Sequence, residues 1–264
     1  MASWPTAWRP AASSGESVGT ARYARAAMPG SIAVLVTCEH AGRRVPARYR
    51  ALFAQRQHLL DTHRAWDRGA LPIARDLSAR LAAPLFAVGV TRLLVDTNRS
   101  PDNPRVWSEL SRALPAPERD RLFRRVHQPH WCRVERWVAE QVEAGGQAVH
   151  LASHTFTPVL DGVERRCDIG VLFDPGRQLE REIAGRLVEE LRRRLPELVI
   201  RRNAPYRGVD DGVTRGMRRR FPDGGYAGLE LEVSQRFVEG PRAEWSRVRA
   251  GLVEAVAFAV GPSR

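Results

Sequence analysis

The run IAVLVTC, Ile32 to Cys38, constrains this chain more than any other segment. It is almost continuously apolar, of strand length and rich in β-branched residues, the pattern of a parallel strand covered on both faces. Comparable strand-like runs follow at Leu85 to Val88, Leu93 to Asp96, Gln147 to Ser153, Asp168 to Phe173, Leu198 to Ile200 and Tyr226 to Ser234. Between them lie helical patterns. From Asp67 to Leu81 the apolar residues Ala70, Ile73, Ala74, Leu77 and Leu81 recur at three and four, which gives a helix one apolar stripe. Longer helices are expected over Pro117 to Glu143, bent at Pro129, over Arg177 to Leu195 and over Glu244 to Val260. Strands alternating with helices imply a three-layer α/β/α sandwich around a mostly parallel or mixed central sheet.

One domain is expected over residues 29 to 264, a length that can bury a single large core. Residues 1 to 28 mix Ala, Ser, Gly, Pro and Arg without period and read as a loose extension, with Met28 a candidate start of translation. Residues 100 to 116 read as a Pro-rich loop, and 210 to 222 as a mobile lid within a Gly- and Arg-rich loop from 203 to 225.

The formal charge of +12 would ordinarily point to nucleic acid or a membrane surface. Every basic side chain is arginine, however, with no lysine at all, so the excess fits a global codon bias as well as a phosphate partner. The arginines are scattered, as at Arg192, Arg193 and Arg194, rather than set in one stripe among aromatics, so nucleic acid is not the expected partner. Cys38, Cys132 and Cys167 are few, odd in number and without CxxC spacing, which argues against a disulfide scaffold or thiolate zinc site. A reducing, cytoplasmic setting is expected. No run of about 18 apolar residues is present to span a membrane, and residues 1 to 30 lack the apolar centre of a secretory signal.

In open parallel sheets, ligands collect beyond the carboxyl ends of the strands. His40, Asp96 and His154 fall at such ends. Neutral imidazoles with one carboxylate are a common catalytic zinc shell that leaves a position for water. Asp67, opening its helix, is the expected third ligand, with His63 as the substitute. In LELEV, Glu230 and Glu232 share one face of a core strand opposite Leu229, Leu231 and Val233. Two carboxylates there are costly unless paired or used, and Glu232 is assigned as general base. A salt bridge to one of the arginines is the alternative, stronger for Glu230.

Asn98 beside Arg99 suggests a clamp for a substrate carboxylate, although a turn whose side chains bond the local backbone fits the same residues. Arg92, Arg166 and Arg215 are further anion-binding candidates, and Glu39, beside His40, is another possible site residue. His127 and His130, three apart on a helix, read as a metal pair or as a face packed on the sheet; His58 and His150 are weaker candidates. NAPYRG, Asn203 to Gly208, reads as a loop over the site.

With these residues in place, the chain resembles the N-formylglutamate amidohydrolase family. The matching segments are CEHAGRRVP, HRAWDRGA, TRLLVDTNR, SHTFTPVLDG, DIGVLF, NAPY and GLELEVSQ, in the family's order over roughly residues 32 to 240. The resemblance implies a phosphorylase/hydrolase-like fold related to zinc carboxypeptidases and acyl-amino-acid deacylases. It also implies a divalent metal, zinc above all, near His40, Asp67 and His154, with Glu232 as base and Asn98 with Arg99 as carboxylate site. The expected substrate is a small N-formyl or N-acyl acidic amino acid. One departure stands out: the HxxE element of carboxypeptidases is absent, because Arg43 lies three residues after His40. The competing expectation is a non-catalytic anion or nucleic-acid binding protein that retains the fold.

Overall fold

The computed structural model describes residues 30–261. The expected extension over 1 to 28, Met28 included, lies outside the described residues.

In chain order the strands are β1 (Ile32–Cys38), β2 (Leu85–Ala87), β3 (Gln147–Phe156), β4 (Val159–Leu160), β5 (Val163–Glu164), β6 (Ile169–Leu172), β7 (Ile200–Arg202) and β8 (Tyr226–Ser234). The α-helices are α1 (Ala70–Leu81), α2 (Glu109–Arg112), α3 (Ala116–Leu122), α4 (Gln128–Glu143), α5 (Gln178–Arg194), α6 (Val213–Arg218), α7 (Arg236–Glu239) and α8 (Arg242–Val260). The main sheet has the order β2-β1-β3-β8-β6-β7. Strands β2, β1, β3 and β8 run parallel, β6 is antiparallel to β8, and β7 is parallel to β6. The sheet is therefore mixed, and helices cover both faces.

Helices α1, α5 and α8 bury Ile73, Leu77, Leu187, Leu191, Leu252 and Val256 against one face. Helices α4 and α6 pack Trp131, Val134, Trp137, Val213 and Met217 against the other. Each large aliphatic side chain so buried contributes roughly 1.5–3 kcal/mol relative to exposure. A third cluster around Tyr49, Phe53, Leu94 and Leu122 closes the β2 end of the sandwich.

Several local expectations are corrected. Leu93 to Asp96 forms a turn rather than a strand; Leu94 donates to the Thr91 carbonyl, and Leu93 and Leu94 fill the third cluster. A short buried apolar run fits a folded-back segment as well as a strand. Strand β3 continues past Ser153 to Phe156, because β8 pairs with it along its whole length as far as Ser234. The last-but-one strand lies at Ile200–Arg202 rather than Leu198 to Ile200. The Pro-rich loop contains α2, started by a capping box in which Ser108 accepts from the Ser111 amide. Before Pro129 the long helix passes through a π turn at Phe123–His127, a frequent site of helix irregularity.

The segment from 210 to 222 is not a lid. It holds α6, whose Val213, Thr214, Met217 and Arg218 are buried. Arg218 donates to Glu180 at 2.8 Å and to the Gly228 carbonyl at 2.7 Å, tying α6 to α5 and β8. A buried pair of this kind costs several kcal/mol to break one-sidedly, so α6 is part of the core.

Candidate active site

Glu39 and His40 occupy the turn directly off the carboxyl end of β1. The Asp67 amide donates to the His40 carbonyl at 3.0 Å, which brings the approach to α1 beside β1. Gly69 makes that approach possible: it has φ +90°, and a Cβ there would lie 2.5 Å from Val238. His154 lies near the carboxyl end of β3, in register with Glu232 of β8. Along β8, Leu229, Leu231 and Val233 join the apolar core while Glu230 and Glu232 face the opposite way.

These elements bring His40, Asp67 and His154 together, each offering a ligand atom within 4.8 Å of the others'. The Oδ2 atom of Asp67 lies 3.3 Å from His40 Nδ1 and 2.9 Å from His154 Nδ1. The other oxygen of Asp67 accepts from Arg92. Behind the ring of His40, Nε2 donates to Asp96 Oδ1 at 2.7 Å. Behind His154, Nε2 lies 3.3 Å from Glu39 Oε2, and Glu39 Oε1 in turn accepts from His130 Nε2 at 2.9 Å. Each imidazole thus has its Nε2 against a carboxylate and its Nδ1 against Asp67 Oδ2. Carboxylate–histidine pairs of this form fix the tautomer and orientation of metal-binding imidazoles.

Charge in the cluster follows from burial and neighbours. Burial and the Arg92 guanidinium push His40 down to about 4 against the pull of Asp96, so it is neutral at pH 7 and able to ligate. His154 goes the other way: burial would lower it, but the hydrogen bond to Glu39 and the charge of Glu232 raise it to about 9. At neutral pH it therefore holds a second proton, which it would have to give up to serve as a metal ligand. Burial opposes ionisation of Glu39 and Asp96, yet His130 and His154 hold Glu39 well below the usual carboxylate range, and His40 does the same for Asp96. Glu232 is pushed up to about 7, chiefly by burial, with Glu230 adding and His154 opposing. Its Oε2 is buried with no hydrogen-bond partner among the described residues.

The donors open on a cavity of about 170 Å³ whose walls include Asn98, Arg99, Tyr206, Glu230 and Glu232. Asn98 Oδ1 accepts from the Val213 amide at 3.0 Å and its Nδ2 lies 3.5 Å from His154 Nε2. Arg99 Nη1 donates to the Asp211 carbonyl at 2.6 Å, which fixes the guanidinium at the wall. Glu230 accepts from Thr214 at 2.6 Å. His63 lines the cavity from an exposed position and makes no part of the donor cluster.

Other candidates part company. His127 and His130 do not form a pair: His127 Nε2 donates to the Arg99 carbonyl at 2.7 Å and its ring stacks between Phe123 and Trp131, whereas His130 turns to Glu39. The π turn ending at His127 leaves the two rings with separate partners. His150 is buried between Thr37 and Tyr226, His58 is exposed, and neither lines the cavity. Arg166 and Arg215 also lie outside its lining.

Sequence reading missed the pairing of Asp96 with His40 and the link from His130 through Glu39 to His154. Glu39, His40 and His154 were legible at strand ends, but which carboxylate backs which imidazole depends on strand order. Tyr206 was visible only as a loop residue.

Fold and cleft define the class: an α/β sandwich with a hydrolase-type site at the carboxyl edge of its sheet. The chain belongs to the N-formylglutamate amidohydrolase family, whose sequence profile matches residues 32–238; it is a hydrolase of the kind that acts on an amide. Among solved structures, a gene product of Agrobacterium tumefaciens is 31% identical, with 86% of this chain and 89% of that one covered and a TM-score of 0.73. N-formylglutamate amidohydrolase from Ralstonia eutropha JMP134 is 15% identical, with 88% and 95% covered and a TM-score of 0.64, and shares the fold. No curated protein matches the chain. Among the described residues no helix is long and apolar enough to cross a membrane.

Proposed function

We propose that the protein is a cytoplasmic, metal-dependent amidohydrolase that cleaves the N-formyl or another short N-acyl group from an acidic amino acid, with N-formylglutamate the first candidate. The observation that carries the reading is one carboxylate oxygen, Asp67 Oδ2, flanked by the Nδ1 atoms of two imidazoles on a cavity that also holds the unpartnered Oε2 of Glu232.

Two imidazole nitrogens and one carboxylate oxygen fit a divalent cation, zinc by the preference of that donor set. The buried carboxylates Glu39, Asp67, Asp96 and Glu232 further favour positive charge at the site. When bound, such a cation supplies Lewis-acid polarisation and lowers the pKa of water to about 7.

The chain's own residues do the rest. Glu232, as carboxylate, takes a proton from the water whose oxygen bonds to the acyl carbon. It then delivers that proton to the amide nitrogen as the C–N bond breaks, leaving a carboxylic acid and the free amine. Arg99, anchored through Nη1, presents its guanidinium to the substrate's α-carboxylate, with Asn98 beside it. Arg92 holds Asp67 so that Oδ2 faces the imidazoles.

The test is removal and return of metal. The purified protein should hydrolyse N-formyl-L-glutamate, lose that activity on chelation and regain it with one equivalent of zinc. Turnover that persists after complete chelation contradicts the reading.

A further inference from the structure

Resting on that reading, the geometry points to Arg165, held by Tyr206, as the residue that selects an anionic substrate side chain. An N-acyl acidic amino acid carries two carboxylates, and the Asn98–Arg99 wall accounts for one. The second needs a donor of its own, because a carboxylate desolvated in a cleft without a partner is strongly disfavoured.

Arg165 directly follows the small β4–β5 hairpin, and its amide donates to the Pro158 carbonyl at 2.8 Å, pinning its backbone across the hairpin base. Its side chain is half-buried, yet it forms no ion pair with a carboxylate among the described residues. Its guanidinium lies 5.8 Å from the ring centre of Phe156 and 4.9 Å from that of Tyr206, and Nη1 donates to the Tyr206 hydroxyl at 2.8 Å. Phe156 and Tyr206 both line the cavity.

The chemistry fits a carboxylate. A tyrosine hydroxyl that accepts from a guanidinium keeps its own proton to donate, and the guanidinium keeps further N–H groups. Together they form a clamp whose aromatic supports limit the entropy lost on binding. The loop carrying Tyr206 is itself fixed. Asn203 Oδ1 accepts from the Phe173 and Gly208 amides at 3.0 Å each, and a Cβ on Gly208 would lie 2.2 Å from the Phe173 nitrogen. Arg166, the neighbour favoured by sequence reading, is exposed; neither arginine is itself among the cavity's lining residues, and Arg165 reaches the cavity through its contacts with Phe156 and Tyr206.

The experiment compares kcat/KM for N-formyl-L-glutamate with that for N-formyl-L-glutamine, its neutral isostere, in the zinc-loaded parent, Arg165→Met and Tyr206→Phe. The parent should prefer the glutamate substrate. In Arg165→Met the preference should fall by about 10- to 100-fold, the loss appearing mainly in KM. Tyr206→Phe, which only removes a hydroxyl, should lower it by about threefold to tenfold and guards against misfolding of the first variant. Equal losses on both substrates, or an unchanged preference, overturn the clamp. A parent that cleaves both substrates equally well overturns it too while leaving the hydrolase reading standing. A parent that cleaves neither overturns that reading and the clamp with it.

Discussion

The two faces of β8 differ sharply. On one, Leu229, Leu231 and Val233 lie fully buried against the α1–α5–α8 layer. On the other, two residues apart, stand Glu230 and Glu232, nearly as buried but acidic. Within the acidic face a second contrast appears, since Glu230 is hydrogen-bonded to Thr214 whereas Glu232 keeps an unpartnered oxygen and a raised pKa. A fold optimised for stability alone would satisfy both or remove both. The difference is what the proposed role of Glu232 as general base rests on.

Substitutions can break that contrast, beginning with the largest effect. Glu232→Gln should lower turnover by about a thousandfold, the scale of a lost general base, while metal content measured by elemental analysis stays at the parent's level. Leu231→Ala, on the apolar face, should do the reverse. It should cost about 2–5 kcal/mol of stability through the cavity it leaves, read by denaturant unfolding, with kcat of the folded protein little changed.

The raised pKa gives a test by pH. The Glu232 carboxyl binds its proton more tightly in the folded chain than its ordinary value of 4.5 allows, holding it up to about 7. Its contribution to stability is therefore fully present below about pH 4.5 and lost as pH rises through about 7, amounting to about 3 kcal/mol in chelated protein. Glu232→Gln should remove the dependence, so the chelated variant should gain on the chelated parent between pH 5 and pH 8 in parallel unfolding titrations. A constant gap would show that Glu232 does not titrate with the fold.

A smaller effect is expected behind the imidazoles. Asp96→Asn withdraws the charge that holds His40 Nε2–H and should weaken zinc about 10- to 100-fold in a chelator competition assay. The smallest is expected for Glu230→Gln, which keeps a partner for Thr214 and should change turnover by less than about tenfold.

Much of the fold was legible because its strands are apolar over whole runs and its helices carry apolar stripes. The mixed α/β sandwich and the strands IAVLVTC and YAGLELEVS follow from period alone, and so did the shared face of Glu230 and Glu232. Three features were not legible. Leu93 to Asp96 is as apolar as a strand, and its folding back into a turn shows only in the packing of Leu93 and Leu94 within the third cluster. Helix α6 is rich in Gly and Arg and reads as a loop until Glu180, from α5, neutralises Arg218. The histidines of the long helix share a spacing but not a partner: Pro129 marks a bend, but not the π turn at Phe123–His127 that gives the two rings separate partners. At the site, strand ends announced His40 and His154, whereas the partnership of each ring with a particular carboxylate is a property of the order β1-β3-β8.

The account rests on His40, Asp67 and His154 sharing one cation. Metal stoichiometry by mass spectrometry, on the parent and on Asp67→Asn and His154→Ala purified in parallel, tests this most directly. The account predicts one zinc per chain in the parent and less than about a tenth of that in either variant at equal fold content by circular dichroism. Full zinc occupancy in both variants, or a folded, active parent that binds none, would contradict it.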